Sequence, residues 1–168
     1  MIIEGRVWVF GDNVDTDQIL PGYAMVEPPE KLGQFAMAGS PAPDLAKRIK
    51  QGDIIVAGKN FGCGSSREQA PVALQLAGIG LVIAGSFARI FRRNAINIGL
   101  PVWACDLADQ VKDGDTVLVD LETGSARIKN NNITGMPLSK NVLSTLAAGG
   151  LINRVRQELG LADEGGNK

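Results

Sequence analysis

The stretch from Gly58 to Ala70, GKNFGCGSSREQA, sets three glycines and two serines ahead of an arginine and a glutamate, and it is where this chain could do chemistry. Glycines let a backbone approach an anion closely, serine hydroxyls can serve as bases or anion contacts, and a guanidinium can fork onto a carboxylate. Two known phosphate motifs fail here. The dinucleotide fingerprint needs a glycine where Arg67 stands, and the P-loop needs Gly-Lys-Ser/Thr after its four-residue gap. Ser65-Ser66-Arg67-Glu68 has the S-x-x-E spacing of a capping box, which would make Ser65 a plain helix cap. Arg67 argues against so plain a role, because a cation in the first turn opposes the helix dipole and is better explained as a grip on a ligand carboxylate. Pro71 adds a second possibility: regular helix starts near Pro71, and Ser65 to Glu68 form a special turn that leaves the serines free.

Histidine is absent from all 168 residues, which excludes an internal Ser-His-Asp or Cys-His site and any histidine metal ligand. The two cysteines, Cys63 and Cys105, are far apart and outside CxxC spacing, so they predict free thiols rather than a disulfide or zinc cage. Seventeen basic residues against eighteen acidic ones, with no dense basic run, leave no electrostatic footprint for nucleic acid. No stretch approaches the roughly 18 apolar residues of a membrane span, and the first residues lack a signal-peptide pattern. The expectation is a cytoplasmic protein.

Something must position the turn. Ile2 to Phe10 alternate as a half-buried strand, ended by Gly11-Asp12-Asn13. A second extended piece is expected at Thr16 to Leu20, then a short helix over Lys31 to Met37, and a helix from an Asp44 cap to Ile49. From Ile54 the pattern becomes strand, helix, strand, helix, strand: Ile54 to Ala57, Ser66 to Leu76, Leu81 to Ala84, Phe87 to Ile98 and Val102 to Ala104. Gly99 and Pro101 close the second helix. Strands at Thr116 to Asp120, Ser125 to Lys129 and Ile133 to Met136 follow, then helices over Leu138 to Ala148 and Leu151 to Leu159. This predicts an α/β fold with a mostly parallel central sheet and a flanking β layer, one domain over residues 1–160, and a flexible tail over 161–168.

Three segments together carry a resemblance: GDNVDTDQILPG (Gly11 to Gly22), GKNFGCGSSREQAPVAL (Gly58 to Leu74) and GSFARIFRRNAINIGLPV (Gly85 to Val102). In order and spacing the chain resembles the small subunits of 3-isopropylmalate dehydratase, which correspond to the swivelling C-terminal domain of aconitase. The resemblance spans most of the chain and weakens after about Asp120. It implies a swivelling β/β/α domain that is half of a hydro-lyase, acting in leucine biosynthesis on a small hydroxy-dicarboxylate. It also implies a large-subunit partner that carries a [4Fe-4S] cluster with one open iron; two cysteines cannot supply the usual thiolate set, so no cofactor and no metal are expected on this chain.

The resemblance further implies roles residue by residue. Ser65 matches the catalytic base, acting as an alkoxide that the turn's amides, Ser66 and Arg67 would stabilise. Arg67 matches the substrate-carboxylate arginine, Ser66, Gly64 and Thr16 lesser substrate contacts, and Asp17 an active-site aspartate; without the family, Asp17 reads as a loop cap. Substrate choice is assigned to the loop Tyr23-Ala24-Met25-Val26. Relatives of this type carry an arginine-tyrosine-leucine sequence there, whereas this loop is one residue shorter and has no arginine. No Lys or Arg lies between Asp17 and Glu30, so an alkyl substituent is favoured over a third carboxylate; alternatively these side chains only pack the loop. Homoaconitase and methyl-substituted malate dehydratases are the near alternatives, and a non-catalytic carboxylate-binding module is the distant one. Cys63 reads as a packing residue of the turn. Arg89 and Arg93, one helical turn apart, face either a partner or solvent. Self-association of the isolated subunit is also open.

Overall fold

The computed structural model describes residues 1–161; the rest of the tail expected to be flexible, 162–168, lies outside the described residues. Strand β1 (Ile2–Val9) leads through a single-turn helix α1 (Thr16–Ile19) and a run of short 3-10 turns to β2 (Asp53–Ala57). Then follow α2 (Gln69–Ala77), β3 (Ile79–Ala84), α3 (Arg89–Ile98), β4 (Val102–Ala104), β5 (Thr116–Asp120), β6 (Ser125–Ile128), β7 (Asn131–Thr134), α4 (Lys140–Ala147) and α5 (Leu151–Glu158).

The strands form one seven-stranded sheet in the order β4-β3-β2-β1-β5-β6-β7. From β4 to β1 every pairing is parallel, and from β1 to β7 every pairing is antiparallel. The expected parallel centre is therefore one half of the sheet, and the expected flanking layer is its antiparallel continuation. β1 is the strand common to both: Val7 pairs with Ile54 on one side, and Arg6 with Thr116 on the other.

Alternation along β2 and β3 splits the core in two, since successive side chains point to opposite faces. Ile55, Ala57, Val82 and Ala84 pack against α2 and α3 through Ala70, Ala73, Leu74, Phe91 and Ala95. Ile54, Val56, Leu81 and Ile83 point the other way, to Trp103, Val117, Val119 and Ile128 inside the curl of the sheet. Both faces of β2 and β3 are thus covered, which is why they read as unbroken apolar runs. The curl is fastened across its mouth by Trp103, whose indole Nε1 donates to the Met136 carbonyl at 2.8 Å. A Cβ on Gly135 would sit 2.7 Å from the same ring, so the chain passes the tryptophan only because residue 135 has none.

Several expectations move. Thr16 to Leu20 is not extended: Asp15 caps a helical turn, its carboxylate accepting from the Gln18 amide at 2.8 Å. Helix α2 begins at Gln69 rather than Ser66, with no side-chain cap, so the capping box does not form and the special turn does. Lys31 to Met37 lies within and beyond a 3-10 segment, Pro29–Phe35. Asp44 caps nothing; it pairs with Arg48 at 3.5 Å across the short 3-10 turn Leu45–Lys47. The last strand falls at Asn131–Thr134, because Gly135 is drawn against Trp103 instead.

Candidate active site

In an open parallel sheet, loops at the carboxyl ends of the strands converge on a crevice. Here the loops after β1 and β2 are stitched there by main-chain bonds: the Asn13 amide to the Lys59 carbonyl at 2.8 Å, Gly62 to Val14 at 2.7 Å, and Thr16 to Cys63 at 2.8 Å. Asp15 and Cys63 form a parallel bridge. Two of the three chemistry-bearing segments, distant in sequence, are thereby locked in register.

The turn itself depends on two left-handed glycines. Gly62 has φ +78° and lies against the Phe91 ring, where a Cβ would collide; Phe91, Phe61 and Phe87 form an aromatic cluster beneath it. Gly64 has φ +96°, and a Cβ there would stand 3.3 Å from the Thr16 hydroxyl oxygen. Past these glycines the chain is exposed through Ser65 and Ser66. The Arg67 amide turns back to the Ser65 carbonyl at 2.9 Å, whereas the amides of Gly64, Ser65 and Ser66 have no protein acceptor among the described residues. Free amides at an exposed turn suit an anion.

Four side chains meet over this turn. Ser65 Oγ lies 3.0 Å from Thr16 Oγ1. The Arg67 guanidinium, 20 % exposed, pairs with the Asp17 carboxylate, which is 71 % exposed. It also donates from Nη1 to the Leu20 carbonyl at 3.0 Å. Both contacts use Nη1, so Nη2 has no protein acceptor among the described residues and can still bind a ligand carboxylate. Met25, Ser65, Ser66, Arg67, Glu68 and Gln69 line an open cleft of about 400 Å³.

Not every residue of the sequence reading reaches the cleft. Thr16, 2 % exposed, is buried behind Ser65 rather than presented to a ligand. Ala24 is fully buried and packs in the core rather than facing the cleft. Tyr23 and Val26 are exposed on a 3-10 turn, Tyr23 edge-on to Phe35 with ring centroids 6.1 Å apart; of the four loop residues only Met25 lines the cleft. The sequence reading missed the Leu20 carbonyl as a brace for Arg67, and a main-chain acceptor leaves no side-chain signal. Cys63 is half-buried in the turn, and Arg89 and Arg93 are exposed on α3.

A thiolate-bound cluster does not fit these residues. Cys63 and Cys105 are separate free thiols, and among the described residues no group of three or more His, Cys, Asp or Glu side chains could hold a metal ion. Burial first, and then the Asp106 charge, push the Cys105 thiol up, against the pull of the Asp106 amide, which makes it a packed thiol and not a ready thiolate. No helix among the described residues is long and apolar enough to cross a membrane.

Residues 12–103, which run through β2 and β3 into β4 and hold the Ser-Ser-Arg turn, match the Aconitase C-terminal domain. The chain belongs to that family. An isopropylmalate/citramalate isomerase small subunit of Methanocaldococcus jannaschii is 52% identical over 164 residues, covering 94% of this chain and 96% of the relative. A 3-isopropylmalate dehydratase small subunit of Methanopyrus kandleri is 47% identical over 168 residues, covering 98% of each. A methanogen homoaconitase small subunit of Methanothermobacter thermautotrophicus is 52% identical over 159 residues, 90% of this chain and 89% of the relative. The crystal structure of the 3-isopropylmalate dehydratase leuD protein of M. jannaschii superposes with a TM-score of 0.89 at 47% identity, over 96% of this chain and 97% of that one.

Proposed function

We propose that this chain is the small subunit of a 3-isopropylmalate dehydratase, interconverting 2- and 3-isopropylmalate by dehydration and rehydration together with a large subunit. The observation that carries the reading is the pairing, in one exposed cleft, of a serine hydroxyl with an arginine whose free Nη2 can take a carboxylate. That is the donor set needed to hold a hydroxy-dicarboxylate and move one of its protons.

On this reading Arg67 fixes a substrate carboxylate, and the free amides of Gly64, Ser65 and Ser66 add anion contacts. Asp17 and the Leu20 carbonyl hold the guanidinium in place. Ser65, as its alkoxide, takes the proton from the carbon beside a carboxylate: the O–H bond forms, the C–H pair becomes the alkene, and hydroxide departs with the C–O pair. Hydroxide then adds at the carbon that lost the proton while Ser65 gives that proton to the carbon that lost the hydroxide, so the serine ends as the alkoxide it began as. The Lewis acid and the iron-sulfur cluster belong to the large subunit, and the setting is cytosolic.

Between isopropyl and carboxylate substituents, the loop favours isopropyl. Arg67 is the one cation among the residues lining the cleft, and it is committed to a carboxylate common to both substrates. Met25 offers an apolar wall. The test is reconstitution of this chain with an iron-sulfur large subunit and assay against isopropylmalate, citramalate and homocitrate-type acids. Preferred turnover of isopropylmalate is expected. Preference for the tricarboxylate would move the reading to the homoaconitase branch, and carboxylate binding by this chain alone with no turnover in the pair would reduce it to a binding module.

A further inference from the structure

We infer that Thr16 is a positioning residue for Ser65: its hydroxyl donates the hydrogen bond that holds the Ser65 oxygen in place and stabilises it as an alkoxide. This rests on the reading of Ser65 as the base and adds to it a specific donor.

The geometry is one-sided. Thr16 is 2 % exposed, so its hydroxyl is closed off from bulk water. Among the described residues its single side-chain partner is Ser65 Oγ, at 3.0 Å. A buried hydroxyl without a partner is costly, and none is left unsatisfied among the described residues, so this one bond satisfies it. With Ser65 neutral either oxygen can donate. An ionised Ser65 has no proton to give, so Thr16 must then be the donor, and a hydrogen bond to a charged acceptor is about twice as strong as a neutral one. The bond therefore strengthens as the base forms, which lowers the serine's pKa; a chain without histidine has no imidazole to do this.

The surroundings hold the donor in place. Thr16 opens a helical turn capped by Asp15, and its amide is tied to the Cys63 carbonyl at 2.8 Å, two residues before Ser65. The hydroxyl reaches across because Gly64 has no Cβ; an alanine there would set a methyl 3.3 Å from Thr16 Oγ1. Ser65, by contrast, is exposed on its other side, toward the cleft. A base fixed from behind by a buried donor and open in front to its substrate is what this pair provides.

The experiment compares Thr16→Val, Thr16→Ala and Thr16→Ser with Ser65→Ala in the reconstituted two-subunit enzyme, following kcat and KM across pH, with thermal melting and subunit assembly as controls. Thr16→Val keeps the shape and removes the donor: kcat is expected to fall about 10²-fold, KM to change little, and the alkaline rise of kcat to move to higher pH. Thr16→Ser restores the donor and is expected to stay within about threefold of the parent. If Thr16→Val fails to assemble, Thr16→Ala carries the comparison. Donorless variants with the parent's kcat and pH profile overturn the inference while an inactive Ser65→Ala leaves the base assignment standing. Full activity in Ser65→Ala overturns both.

Discussion

The two ends of β2 each lead to a polar cluster, and the two are built in opposite ways. At its amino end, Asp53 is 4 % exposed. Its carboxylate receives Arg6 Nη2 at 2.6 Å, Trp8 Nε1 at 2.8 Å and the Lys50 amide at 3.0 Å. The guanidinium of Arg6 lies over the Trp8 ring at 4.6 Å and that of Arg48 at 4.9 Å, and Arg6 also donates to the Arg48 carbonyl. At the carboxyl end, Ser65, Ser66 and Asp17 are exposed, three amides are free, and Arg67 keeps Nη2 in reserve. One cluster is saturated and the other is left short of partners. Saturation rigidifies a fold; open valence at a braced site is what a ligand can use.

Burial by itself would raise the pKa of Asp53, but the hydrogen bonds from Arg6, the Lys50 amide and the Trp8 indole, with the Arg6 charge, outweigh it and hold the carboxyl below its usual range. A depressed folded-state pKa contributes stability above the unfolded value, near 3.9, that is lost as pH falls through the folded value. This end of the strand stabilises; it does not react.

Substitutions can break or sharpen that contrast. The largest effect is expected from Ser65→Ala, which should lower turnover of the reconstituted enzyme by about 10³-fold or more while leaving melting and assembly unchanged; equal loss of stability would erase the division of labour. Arg67→Lys removes the planar fork and should cost about 10²-fold in kcat/KM, mostly through KM, read in the same assay. Asp53→Asn strands Arg6 and should cost about 2–3 kcal/mol in denaturant unfolding, discounted for the third of Arg6 that is exposed, with turnover per folded molecule retained. Trp8→Phe drops one hydrogen bond to that carboxylate and should cost about 1 kcal/mol. The smallest expected effect is in the acid limb: the parent loses stability below about pH 4 more steeply than Asp53→Asn, and identical limbs would remove Asp53 from the account.

How far these features could be read from residues alone followed the range of the interactions. β2, β3, β4 and α3 were legible because period, length and the Gly99-Pro101 stop are local signals. The Ser-Ser-Arg turn was legible because glycine spacing and an ill-placed arginine are local too. Thr16 to Leu20 is helical where the sequence suggests an extended piece stopped by Pro21-Gly22, although Asp15 holds the clue, an N-cap three residues ahead of the amide it satisfies. Ala24 was counted as a loop side chain facing substrate, but the tight 3-10 turn Gly22–Val26 rolls it inward and leaves Met25 at the cleft. The Asp53 cluster was not anticipated at all, because Arg6, Trp8 and Asp53 meet only once β1 and β2 pair, and pairing register is not written in either strand alone.

β1 is hydrogen-bonded on both edges, to β2 and to β5. The first dozen residues are therefore a keystone and not a fringe: the seam between the two half-sheets cannot close until residues near 120 have been synthesised, so folding during translation must wait for most of the chain. Removing β1 should therefore split the molecule down its middle.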